Sequence, residues 1–252
     1  MGLLMTDKVA VITGGSRGIG RAAALAAATR GYKIVVGYAS NETAAKDAVA
    51  AIEARNGKAI AVKCDVGREH DILELFKAAD KFGTLGALIN NAGIVGPTTR
   101  VDEMSAERIE RLLAVNVTGS ILCAREAVKR MSTRHGGKGG VIINLSSVAA
   151  KLGSPNTYVD YAASKGAIDS FTIGLAQEVA SEGIRVAAIR PGLIDTEIHA
   201  SGGEPDRAHR LASTVPMKRV GTADEIANAI VWLLSDEASY VTSAILDVSG
   251  GR

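Results

Sequence analysis

Short apolar runs alternate with longer mixed stretches along the whole chain, and each pair reads as a strand followed by a helix. Lys8–Thr13 is a β-branched run that stops at glycines, and an alanine-rich helix from Arg21 to Arg30 follows, closed by Gly31. Lys33–Tyr38 is a second strand, and the helix after it, Thr43–Arg55, is stopped by Asn56-Gly57. Strand Lys58–Val66, helix Glu69–Lys81 and strand Leu85–Asn90 continue the alternation. One long helix fills Ser105–Met131, capped by Ser105, and a glycine-rich loop, Gly136–Gly140, enters strand Val141–Leu145. Helix Tyr158–Ser181, strand Arg185–Ile189, helix Asp224–Leu234 and strand Ala244–Asp247 complete the series. Between them Leu193–Gly221 is weakly patterned and is expected to form a substrate loop. Strands that are apolar throughout suit a sheet covered on both sides, and right-handed strand-helix-strand units put helices on both faces of a parallel sheet. The expected fold class is α/β: a single Rossmann-like domain over residues 1–252, with a doubly wound parallel sheet and no linker.

Composition narrows the function classes. Hydrophobic residues make up 47% and charged residues 22%, the balance of an ordinary globular chain. A net charge of +2 gives neither nucleic acid nor an anionic membrane surface a reason to bind, so a small-molecule partner is expected. No apolar run is long enough to span a bilayer, and Met1–Thr6 is too short for the apolar core of a signal peptide. Cys64 and Cys123 form no metal-ligand pattern, so a reducing, cytoplasmic setting without a metal centre is expected.

Thr13-Gly-Gly-Ser-Arg-Gly-Ile-Gly20 joins the first strand to the first helix. Glycines let the backbone turn sharply and approach a pyrophosphate, whose charge then meets the helix N-terminus. Gly14, Ser16, Arg17, Gly18, Ile19 and Gly20 are therefore candidate dinucleotide contacts. Their spacing is wider than the common G-x-G-x-x-G, and a turn that binds nothing is the bland alternative. An NAD site carries a carboxylate near the end of the second strand. Here that strand ends Tyr38-Ala39-Ser40-Asn41, and Arg17 offers a cation to a 2′-phosphate. NADP(H) is the expected cofactor, with NAD(H) as the alternative. Asp65 and Val66 end the third strand and either flank an adenine or are a plain strand end.

Tyr161 and Lys165 are four apart on one expected helix and share a face. A free phenol has a pKa of about 10 and is a poor proton donor near neutrality. A cation within about 4–6 Å lowers an acid's pKa by about 1–3 units, and Lys165 is expected to do so for Tyr161. Such a pair occurs by chance on many helices. Tyr158 has Ala162 where Tyr161 has its lysine, which assigns Tyr158 to the pocket wall or to packing.

Taken in order, Thr13–Gly20, Asn90-Asn-Ala-Gly93, Tyr161–Lys165 and Arg190-Pro-Gly192 resemble the motifs of the short-chain dehydrogenase/reductase superfamily, over essentially the whole chain. Arg125–Arg130, Leu152–Pro155, Tyr158–Tyr161, His199–Glu204 and Ile230–Asp236 are similar to a bacterial subgroup of uncharacterised oxidoreductases. That subgroup lies near glucose 1-dehydrogenase-like and 3-oxoacyl-carrier-protein-reductase-like members.

The resemblance implies hydride transfer between NADP(H) or NAD(H) and a carbonyl or secondary alcohol, with Tyr161 as general acid/base. Lys165 would then also bind the nicotinamide ribose, and Asn116 would hold a water in a proton relay. Ser147 is the serine implied, with Ser146 left open, because the stretch to Tyr161 is one residue longer than in many relatives, around Asn156–Tyr158. Asn91, Ala92, Gly93, Pro191, Gly192, Ile194 and Thr196 would line the ribose and nicotinamide end. A homotetramer is implied as well, with Asp160–Val179 and Ala244–Arg252 at the contacts.

The substrate is less legible. His199 and His209 read as surface groups of the substrate loop. Lys129, Arg130, Arg134, His135 and Lys138 offer an acidic carrier protein a basic patch, but Glu182 stands where carrier-protein reductases often place arginine. A non-catalytic NADP(H)-binding sensor on the same fold would predict loss of Tyr161, Lys165 or Ser147, and all three are present.

Overall fold

Seven parallel strands form one sheet in the order β3-β2-β1-β4-β5-β6-β7 in the computed structural model, which describes residues 7–198, 202–204 and 206–252. The readings made for Met1–Thr6 and His199 lie outside the described residues. The strands are β1 Lys8–Ile12, β2 Lys33–Tyr38, β3 Ala59–Lys63, β4 Thr84–Asn90, β5 Gly140–Leu145, β6 Ile184–Pro191 and β7 Ala244–Val248. The helices are α1 Gly18–Thr29, α2 Glu42–Glu53, α3 Glu69–Phe82, α4 Ala106–Leu113, α5 Ser120–Met131, α6 Ala149–Leu152, α7 Val159–Val179, α8 Arg207–Arg210 and α9 Ala223–Leu234. β1 pairs with both β2 and β4, so the winding reverses there and a crevice opens at the carboxyl ends of the strands. The fold class is the one expected, an α/β doubly wound sheet.

Alternate residues of each strand enter different cores. In β1, Val9 and Val11 pack with Ile72, Leu75 and Phe76 of α3 and Ala124 of α5. Ala10 and Ile12 pack on the other side with Ala23 and Ala27 of α1 and Ile226 and Ile230 of α9. With both faces covered, a polar side chain in the inner strands needs a buried partner, which is why the strand runs read as mostly apolar. A buried polar ladder fixes the middle of the sheet to two helices. Asn90 Nδ2 donates to the Ser120 carbonyl and to Asn144 Oδ1, both at 3.0 Å, and Asn144 Nδ2 donates to Thr172 Oγ1 at 2.9 Å. Buried hydrogen bonds of this kind tie β4, β5, α5 and α7 to one register, although Asn90 Oδ1 itself has no partner among the described residues.

The long helix expected over Ser105–Met131 is instead α4, a π-helical turn over Ala114–Gly119, and α5. The turn follows α4 and precedes α5 without a break in the chain's helical run, so no turn residue marks it in the sequence. Gly119 belongs to this turn, since a Cβ there would lie 2.5 Å from the Val66 carbonyl oxygen. The four-residue helices α6 and α8 were not expected, being too short to display a helical period.

Phe76 is fully buried under the sheet, and the Arg130 guanidinium lies 5.1 Å from its ring centroid. Phe76→Ala is expected to lower unfolding free energy by about 3–5 kcal/mol, seen as a lower urea midpoint at unchanged slope. A loss under about 1 kcal/mol would contradict the packing described.

Candidate active site

The glycine loop is built to bring backbone close to a ligand. Gly14 and Gly18 have φ of +62° and +49°, values that favour glycine. A Cβ at Gly20 would fall 2.3 Å from the Gly14 carbonyl oxygen and 2.4 Å from Asn91 Nδ2. The turn after β4 is stitched to this loop. Asn91 Nδ2 donates to the Thr13 and Gly14 carbonyls at 2.9 and 3.0 Å, while the Asn91 and Ala92 N–H groups donate to Thr13 Oγ1 at 3.1 and 3.0 Å. No side chain caps the start of α1, so its first N–H groups remain as anion donors.

From this loop a cleft of about 440 Å³ runs across the strand ends. Every residue proposed from the sequence as catalytic or cofactor-binding lines it except Gly20 and Asn116, which stand behind the wall. Gly20 gives the wall its clearance. Asn116 is only 1% exposed, and its amide is fully engaged. Its Oδ1 accepts from the Ile94 N–H at 2.8 Å, and its Nδ2 donates to the Ile94 carbonyl at 2.9 Å and to Ser164 Oγ at 3.2 Å.

At the other end of the cleft, Arg17 and Ser40 are exposed. Asn41 Oδ1 accepts from the Ala44 N–H at 2.9 Å and so caps α2. Burial works to raise the Asp65 carboxyl, but the Arg111 guanidinium at 2.9 Å and the Gly67 N–H at 3.0 Å outweigh it and hold its pKa below the ordinary value. Arg111 therefore lines the cleft as Asp65's partner, and no sequence spacing links the two.

Tyr161 and Lys165 lie one turn apart on α7, whose start is fixed by Asp160. That carboxylate accepts from the Tyr161 N–H at 2.9 Å and pairs with Arg108 at 2.8 Å, the two side chains being 5% and 16% exposed. Ser147 lies close enough to the Tyr161 hydroxyl to lower its pKa and accepts from the Ala149 N–H at 3.1 Å. Ser146 is turned elsewhere, donating to the Lys165 carbonyl at 3.2 Å. In the stretch before Tyr161, Ser154 and Asn156 take left-handed conformations, at φ of 48° and 57°.

Lys165 Nζ donates to the Leu145 carbonyl at 2.6 Å, and the Cβ position beside Gly93 lies 3.6 Å from that nitrogen and 3.5 Å from Asn116 Oδ1. Burial pushes the Lys165 ammonium down to about 8, against the opposing charge of Asp169. Burial also pushes the Tyr161 phenol up to about 12, while Ser147 pulls the other way. The expectation that Lys165 lowers the phenol is thus not met by the chain alone. Desolvation dominates, and the ammonium sits 5.6 Å from the ring centroid.

The basic patch considered for a carrier protein is largely neutralised. Lys129 pairs with Glu126 at 2.9 Å, Arg130 with Asp80 at 2.7 Å and Glu126 at 2.9 Å, and Arg134 with Glu182 at 4.0 Å. Among the described residues no group of three or more His, Cys, Asp and Glu is placed to hold a metal ion.

Comparison with known proteins agrees with this geometry. A family model described as enoyl-(acyl carrier protein) reductase matches residues 14–252. The chain is 54% identical to the uncharacterized oxidoreductase YgfF of Escherichia coli, over 97% of this chain and 99% of that protein. It is 40% identical to glucose 1-dehydrogenase 2 of Bacillus subtilis, over 98% of this chain and 95% of that protein. A short-chain dehydrogenase from Burkholderia cenocepacia, solved in complex with NADP, superposes with a TM-score of 0.88 at 32% identity, covering 98% of both chains. The chain belongs to the short-chain dehydrogenase/reductase family. The clearance at Gly14 and Gly20 and the uncapped start of α1 fit the nicotinamide nucleotide that this family uses.

A methyl forced into a close-packed site costs about 1–3 kcal/mol, so Gly20→Ala is expected to weaken NADPH binding about tenfold or more in a fluorescence titration. Unchanged affinity would contradict the role given to this clearance.

Proposed function

We propose that this member of the family interconverts a carbonyl group and a secondary alcohol, preferring NADP(H) to NAD(H), with Tyr161 as general acid/base. The observation that carries the reading is the meeting of Tyr161, Ser147 and Lys165 in the same cleft as the glycine loop. The bound nucleotide supplies or accepts the hydride. In reduction the Tyr161 hydroxyl gives its proton to the carbonyl oxygen, and the Ser147 hydroxyl donates a hydrogen bond to that oxygen as negative charge builds. Burial keeps the Tyr161 phenol protonated but makes it a weaker acid, so the donor role depends on the Ser147 and Lys165 groups that stabilise the charge left on it. The Lys165 ammonium stabilises the phenolate left behind and binds the nicotinamide ribose. Asn116 shapes the Gly93–Val95 wall through Ile94, and the space beside Gly93, flanked by Asn116 and Lys165, is the path of the proton relay.

Arg17 and Ser40, with no carboxylate closing β2, support NADP(H), as does the NADP bound by the Burkholderia relative. Residues 193–221 act as the substrate loop. A cytoplasmic homotetramer is part of the same reading. Ile173 of α7 and Leu246 of β7 are apolar and exposed on the segments assigned to contacts, and no helix among the described residues is long and apolar enough to cross a membrane.

A panel of ketones assayed by nicotinamide absorbance tests the reading. NADPH is expected to serve about tenfold better than NADH, the worth of one charge-assisted contact to a phosphate. Tyr161→Phe is expected to lose about 100-fold or more in turnover while keeping NADPH affinity, and a variant that keeps substantial rate would remove Tyr161 from the chemistry.

The pH profile gives a separate check. An amine lowered to about 8 is charged below that pH and neutral above it, so kcat/KM for reduction is expected to fall as pH rises through about 8. Lys165→Met is expected to lose that limb. A flat wild-type profile between pH 7 and 9 would contradict the role of the ammonium.

A further inference from the structure

We propose that the substrate carries an oxyanion, a carboxylate or a phosphate ester, held by Arg207 and Arg252 in the cleft that contains Tyr161. This rests on the oxidoreductase reading above and adds the charge of the substrate to it. Arg207 on α8 and Arg252 beyond β7 both line the cleft, although they come from distant parts of the chain.

Arg252 is half-buried, and its Nη1 is buried with no hydrogen-bond partner among the described residues. Burial lowers the pKa of this guanidinium, and the charge of Arg207 lowers it further. A guanidinium cannot escape by losing its proton at neutral pH, so two of them gathered at a partly buried place call for a negative partner.

The side-chain carboxylates that line or flank this end of the cleft have other partners or face away, and Asp206, beside Arg207, is exposed. Glu204 accepts from Thr98 Oγ1 at 2.6 Å and from the Tyr158 hydroxyl at 3.2 Å, and it also pairs with Arg210. Arg207 has a single 3.2 Å contact with Glu204, lies 3.4 Å from the Tyr158 hydroxyl, and stacks on that ring at 4.8 Å. One carboxylate thus faces Arg207 and Arg210 together, and Arg252 adds further positive charge. Asp247 pairs with Lys151 and Arg190, and Asp195 lies 3.4 Å from His209. Glu197 also lines the cleft, but its Oε2 is 3.5 Å from the Cβ position at Gly18, on the glycine-loop side.

Aromatic stacking and the contact with Glu204 hold the Arg207 plane in place, and a planar fork of donors matches an oxyanion. The nucleotide's phosphates have their own donors in the glycine loop and the start of α1. Tyr158, assigned from the sequence to the pocket wall, is then the platform that orients Arg207.

The test uses the enzyme saturated with NADP⁺, so that phosphate subsites of the coenzyme are filled. Binding of butyrate, methyl phosphate and butyramide is followed by ligand-observed NMR, in the wild type and in Arg252→Gln. At least one oxyanion is expected to bind while butyramide does not, and the better of the two identifies the anion. Arg252→Gln is expected to weaken that binding about tenfold or more. In turnover, the wild type should favour a 3-oxo acid or a keto phosphate over its neutral ester by a similar factor, and Arg252→Gln should lose the preference mainly through KM.

Equal binding of butyrate and butyramide, or a preference untouched by Arg252→Gln, would overturn the proposal. So would oxyanion binding that disappears on adding NADP⁺, which would give the arginines to the coenzyme. If no carbonyl is reduced while oxyanion binding persists, the redox reading fails and the anion site stands. If neutral ketones are reduced as well as acids, the redox reading stands and the anion site fails.

Discussion

A lysine ammonium buried at the end of a parallel sheet is the constraint around which the site is arranged. Lys165 is 4% exposed and donates to the Leu145 carbonyl, the last residue of β5, at 2.6 Å. A buried cation is tolerated only with partners, and the fold supplies them from several directions. Asp169, one turn along α7, opposes the loss of charge from Lys165 while being held by Arg190 at 2.7 Å. The ammonium therefore sits near its titration point rather than far above it. Tyr161, on the same helix face, is pushed by the same desolvation in the opposite direction, because for a phenol the charged form is the deprotonated one.

This arrangement requires that α7, β4 and β5 stay in fixed relation. The Asn90–Asn144–Thr172 ladder ties the two strands to α7 beneath the cleft. At the other end of the helix, Arg108 reaches from α4 to Asp160 and also donates to the Pro97 carbonyl at 2.6 Å, linking the first turn of α7 to the loop after β4. Thr13 and Asn91 join that loop to the glycine turn. The nucleotide end and the acid/base end are thus two parts of one hydrogen-bonded frame, which holds geometry that proton and hydride transfer require.

Much of this was legible in the sequence because it rests on local rules. β-branched runs ending in glycines read as buried parallel strands, and the i, i+4 spacing put Tyr161 and Lys165 on one helix face. What could not be read depends on what packs around a residue. The π-helical turn at Asn116 leaves no trace in an apolar pattern, and its role of holding Ile94 appears only when two distant segments meet. Spacing reveals the cation beside Tyr161 but not the burial that raises the phenol in the chain alone. Arg207 and Arg252 could not be paired from their positions in the chain, and Asn41 reads equally as a ligand group or a helix cap until its partner, the Ala44 N–H, is known.

The most direct measurement is the titration of Lys165 itself, followed by NMR of the protein with ζ-¹⁵N-labelled lysine and assigned with Lys165→Met. The account predicts one lysine that loses its proton near pH 8, absent from the variant. If every lysine instead titrates at the ordinary value of about 10.4, Lys165 is not desolvated as described and the explanation of the site fails.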